Sequence, residues 1–166
     1  MFKTILLKFI LIASLLFSFN GEAKGQKIIA GPEIPVEDIV LTYRAAKNFL
    51  RDSSVTIILK DNLLHPNIEG ITQQIHKSLY CIDISTQVQS PVLRKWVILH
   101  EMGHVLDLHE GRLSQTPPRW MGEKMNPDLP WDVRPWEQAA DEWAFIMWGI
   151  LVDDTVPPFI ILKIVK

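Results

Sequence analysis

From residue 36 to residue 50 apolar side chains recur at three- and four-residue spacing, through Ile39, Val40, Tyr43, Ala46, Phe49 and Leu50, with Glu37 and Asp38 in the first turn. This spacing predicts an amphipathic helix packed on a sheet, its acids facing the positive end of the helix dipole. The period then shortens. Residues 55–59 (VTIIL) form a β-branched run bounded by polar residues, as a buried strand requires, and residues 79–84 (LYCIDI) place Tyr80, Ile82 and Ile84 on one face of another. Residues 71–76 read as a further strand, entered from a loop over 62–70. Before the first helix, residues 24–35 carry two glycines and two prolines and read as an extended lead-in.

A long helix is predicted over 90–111, SPVLRKWVILHEMGHVLDLHEG, with Ser90 as its cap, Pro91 in its first turn and Gly111 as its stop. Only Gly103 interrupts it. The five prolines between 111 and 135 leave no room for a long helix or strand, so that stretch reads as a long loop, a cleft wall or lid. Helical spacing resumes over 136–151, and residues 153–166 end in FIILKIVK, which suits a short helix or a terminal strand. The element order describes an α+β fold: a small twisted sheet packed on an N-terminal helix, with two further helices.

The chain has 166 residues, enough for one domain with a real core, expected over 24–166. Residues 1–23 carry Lys3 and Lys8, an apolar run over 9–19 and small residues at 21 and 23, which reads as a secretory signal peptide cleaved after Ala23. A run of that length is short of the roughly twenty residues needed for a permanent span. The expectation is an exported protein, periplasmic or extracellular, with no stable membrane anchor after cleavage. Its single cysteine, Cys81, rules out an internal disulfide, so packing must supply the stability. A net charge of −2, with both signs interleaved, gives nucleic acid no electrostatic footing. Of the six tryptophans, Trp120, Trp131, Trp136 and Trp143 crowd the region after the long helix and are expected in the core.

Chemistry is concentrated in His100-Glu101-Met102-Gly103-His104. Residues advance about 100° around a helix, so His100 and His104 fall about 40° and one turn apart and aim two imidazoles at one point. Zinc accepts neutral imidazole and keeps an open position for water, and Glu101 beside that water supplies a base; together these make a site for peptide hydrolysis. A chance match to this spacing in a chain with five histidines has a frequency on the order of one per cent. The apolar flanks Trp96, Val97, Leu99, Val105, Leu106 and Leu108 also mark the helix as buried, where two histidines and an acid need a use. Catalytic zinc takes three protein ligands as a rule. Glu137 opens the following helix with Asp141 one turn on, so Glu137 is the expected third ligand and Asp141 the carboxylate that fixes a ligand tautomer. Asp107, about 20° from His100 on its helix, is a second candidate for that supporting role.

His100-Glu101-x-x-His104 followed by Glu137-x-x-Ala140-Asp141-x-x-Ala144 resembles the gluzincin pattern of zincin metallopeptidases, and the layout is similar to the small ImmA/IrrE-like group. The resemblance covers mainly residues 79–149. It implies a minimal zincin-like domain in which His100, His104 and Glu137 hold zinc, Glu101 is the catalytic base and Asp141 supports a ligand, acting on a peptide or protein substrate as an endopeptidase. Such a substrate would lie along an exposed edge strand, for which residues 71–76 are the candidate by position. Metzincins share the first motif but continue with Gly and a third ligand where this chain has Asp107 and Glu110. Glu110 therefore remains an alternative third ligand, with His109 beside it. Peptide deformylases place a Cys before the motif, but the surroundings of Cys81 do not resemble theirs. His76, Tyr80, His109, Arg119 and Arg134 are chemically able to stabilise an oxyanion, and the sequence does not choose among them. The rival reading is an exported zinc-binding or protein-binding module on the same scaffold without turnover.

Overall fold

The computed structural model describes residues 25–152. The expected signal peptide and the terminal apolar segment lie outside the described residues. The elements follow in the order β1 (Lys27–Ala30), α1 (Val36–Phe49), β2 (Thr56–Asn62), β3 (Gly70–His76), β4 (Leu79–Ser85), α2 (Pro91–His109), β5 (Leu113–Gln115), β6 (Pro118–Trp120), β7 (Glu123–Lys124), a 3-10 turn (Trp131–Val133) and α3 (Pro135–Leu151). This is a small α+β domain. Among the described residues no helix is long and apolar enough to cross a membrane.

Two sheets are present. The larger has the order β1-β2-β4-β3, with β1 and β4 parallel to β2 and β3 antiparallel to β4. Parallel strands need a crossover, and α1 supplies it between β1 and β2. β3 and β4 are joined by the short turn at Lys77-Ser78, which leaves β3 on the edge. Ile57 and Leu59 of β2 and Tyr80, Ile82 and Ile84 of β4 are fully buried, as their alternation predicts.

Two sequence expectations need correction. The lead-in over 24–35 contains β1, which takes four register pairs from β2; an isolated KIIA is too short to announce itself before its partner is known. The proline-rich stretch holds a small antiparallel sheet, β5-β6-β7. Its strands have two or three residues, and Pro118 opens β6, so the prolines limit strand length without preventing pairing.

α2 is the central helix. Ser90 caps it by accepting a hydrogen bond from the Leu93 N–H, and Gly111 ends it with φ of 74°. Every residue from Trp96 to Leu108 is buried, because α1, α3 and the sheet enclose the helix on all sides. Arg94, near its start, is buried in an ion pair with Asp38 of α1 and Asp61 of β2, which fixes three elements against one another. Farther along, α3 comes so close at Gly103 that a Cβ there would stand 2.9 Å from both Cα and O of Ala140. A backbone cannot yield as a side-chain tip can. Gly103→Ala should therefore lower the unfolding free energy by about 1–3 kcal/mol, whereas Gly149→Ala, where a new Cβ meets nothing within 4 Å, should raise it by roughly 0.5–1 kcal/mol. Urea denaturation of the two variants checks the opposite signs.

Candidate metal centre

The close approach at Gly103 carries the first turns of α3 over the middle of α2 and brings three buried side chains together. The Glu137 Oε2 atom lies 3.2 Å from Nε2 of His100 and 3.2 Å from Nε2 of His104. One ligand atom from each residue fits within a span of 4.8 Å. Ligands bound at 2.0–2.2 Å around a tetrahedral ion stand roughly 3.3 Å apart, so the two 3.2 Å separations fit a shared cation. This buried group could hold a metal ion.

The supporting contacts favour that use. His100 Nδ1 donates to Asp141 Oδ1 at 2.9 Å, which turns its Nε2 toward Glu137 and His104. Without a metal the same positions store a proton. Burial alone would make His100 less basic, but hydrogen bonds to Asp141 and Glu137 overcome it and push its pKa up to about 10. Burial would likewise raise Glu137, and donation from His100 and His104 brings it down to about 2 instead.

Glu101 stands at the rim of the group. Thr72 of β3 donates its hydroxyl to Glu101 Oε2 at 2.7 Å, and that Thr72 hydroxyl oxygen also lies 3.0 Å from the Glu101 backbone carbonyl. Glu101 Oε1 would be 2.6 Å from a Cβ placed on Gly70, so glycine is what lets the edge strand settle on this carboxylate. Trp131, 55% exposed, stacks on the His100 ring at 5.8 Å between centroids and 26° between planes. Two cavities flank the group and share Ile68, Gly70, Glu101 and Trp131. One, of about 340 Å³, extends past His104 to Leu113, Gln115 and Trp136; the other, of about 550 Å³, extends past His100 to Pro66, Leu93 and Val97.

The remaining candidates lie elsewhere. Glu110 is an exposed residue paired with Arg112, and His109 accepts or donates at Tyr80 3.1 Å away, so neither joins the ligand group. Asp107 is fully buried but has no hydrogen bond to either ligand histidine. Its partner is Arg112, 2.7 Å away but off the hydrogen-bonding direction. Burial raises the Asp107 pKa, and Arg112 draws it partly back. None of His76, Tyr80, His109, Arg119 and Arg134 lines either flanking cavity. Cys81 is buried in β4 and outside the ligand group. Of the crowded tryptophans, Trp136 is core and Trp131 is not. Sequence reasoning missed Thr72, Gly70 and Trp131, because only the packing of β3 and the 3-10 turn against α2 brings them to the site.

The chain matches no family model, no curated protein and no solved structure.

Glu137→Ala should abolish most metal uptake while Glu110→Ala leaves it near the unsubstituted level, as read by elemental analysis after dialysis. A cation must displace the proton that His100 holds below about pH 10, and Glu137, ionised above about pH 2, adds none in the neutral range. The apparent affinity should therefore rise about tenfold per pH unit between roughly pH 6 and 8, which competitive titration with a chelator would measure.

Proposed function

We propose that this protein is an exported zinc-dependent metallopeptidase of the gluzincin type. The observation that carries the reading is the convergence of His100, His104 and Glu137 beside a Glu101 carboxylate held against an edge strand. Two imidazoles and a carboxylate suit zinc better than the harder cations, which prefer all-oxygen sites. The lysines and apolar run of residues 1–23 support export.

A zinc ion held by His100, His104 and Glu137 supplies Lewis acidity, making nearby water more acidic and a carbonyl more electrophilic. The chain's own groups do the rest. Asp141 keeps the His100 tautomer that offers Nε2 inward. Glu101 accepts a proton from the attacking water and delivers it to the departing amine. Thr72 fixes one oxygen of that carboxylate, so the other faces the cavities where water and substrate enter. Trp131 covers the His100 ring and reduces its exchange with solvent. Gly70 lets a substrate backbone lie close to Glu101 along β3, since no Cβ intervenes.

Glu101→Gln should keep about one zinc per chain while cleavage of an unfolded protein substrate falls by roughly 10²–10⁴-fold. Zinc content and product formation are measured on the same preparation. Unchanged cleavage excludes Glu101 as the base, and zinc binding with no cleavage by the unsubstituted protein on any unfolded substrate would favour a non-catalytic zinc-binding module.

A further inference from the structure

We infer that Gln115 sets how far a substrate can pair with the β3 edge, so that recognition comes almost wholly from one side of the reacting bond. This deepens the peptidase reading and rests on it. Glu69 offers its carbonyl to Ser85 of β4, so the alternate residues Gly70, Thr72 and Gln74 turn their backbone groups away from the sheet. Those outward groups are what an added strand would use.

Part of that edge is already taken. A primary amide carries the same carbonyl and N–H as a peptide group, and Gln115 uses both: its Oε1 accepts from the Gln74 N–H at 2.9 Å, and its Nε2 donates to the Thr72 carbonyl at 2.8 Å. The two bonds also fix which way the amide points. Gln115 thus stands where one residue of a bound peptide would stand. Glu101 marks where the reacting carbonyl must lie, against Gly70 and Thr72. From that point a peptide has the backbone groups of Gly70, where β3 begins, and then the larger cavity lined by Pro66, Asn67, Ile68 and Glu69, but it meets Gln115 at once in the other direction. Beyond Gln115 only the smaller cavity, walled by Leu113, Met125 and Trp136, receives it, and that cavity suits a side chain rather than a paired strand.

The test uses an alanine-based peptide with a central Phe-Leu pair, lengthened residue by residue at either end. With the zinc-loaded protein, kcat/KM should climb with lengthening at one end and stay level beyond the second residue at the other. In Gln115→Ala the level end should begin to climb, by roughly tenfold in total. Equal gains at both ends in the unsubstituted protein, or an unchanged level end in Gln115→Ala, would overturn the inference. The same peptides are titrated calorimetrically against zinc-loaded Glu101→Gln with and without Gln115→Ala, which reads binding without turnover. Should no peptide be hydrolysed, the peptidase reading fails and these affinities decide the matter for Gln115. A gain of about tenfold for the longer peptides upholds it, whereas equal affinities or no binding leave Gln115 as a mere tie between β5 and β3.

Discussion

His100, His104 and Glu137, which could hold a metal ion, can meet at one point only if the helices that bear them approach more closely than side chains ordinarily allow. Packed helices keep their axes roughly 8–10 Å apart, set by the residues between them. In this fold the contact is made by Gly103 on one side and the Ala140 backbone on the other. The same turn of α2 that carries His100 and His104 therefore lacks the side chain that would hold α3 away. The glycine that looks like a helix-weakening residue in the sequence is the one that lets Glu137 and Asp141 reach across. Its conformational cost is met by the surrounding burial, since Met102, Val105 and Leu106 are fully or almost fully enclosed.

Burying so many charged groups is tolerable because most have an opposite neighbour, and Glu101 has the Thr72 hydroxyl. Arg94 answers Asp38 and Asp61, Arg112 answers Asp107, and His100 answers Glu137 and Asp141. Unpaired, any of these carboxylates would face a desolvation penalty of several kcal/mol. The first two clusters are closed by a permanent guanidinium. The third is closed by an imidazole that can give up its proton, which makes it the one cluster of the three where a cation can replace a proton without leaving a buried charge stranded.

Much of this was legible in the residues themselves. The long helix declared its limits through Ser90, Pro91 and Gly111, and the fourfold spacing of His100 and His104 is a local property of any helix, so both could be read without a fold. Glu137 was legible for a similar reason, since it opens a helix whose pattern is clear. Other features depend on contacts between segments far apart in sequence. β1 needs β2 to become a strand, and Thr72 needs the antiparallel return of β3 to meet Glu101. Asp107 misled because angular position on a helix says which way a side chain points but not what stands there; Arg112 stands there.

His104 and Glu137 are separated by 33 positions, and the whole proline-rich stretch lies between them. A cation gripping both would fasten that loop shut in the way a disulfide bridge closes a loop. By chain entropy alone, closing a loop of that size is worth about 3–4 kcal/mol. In a chain with one cysteine, the inorganic fastener would take over the duty that sulfur cannot perform.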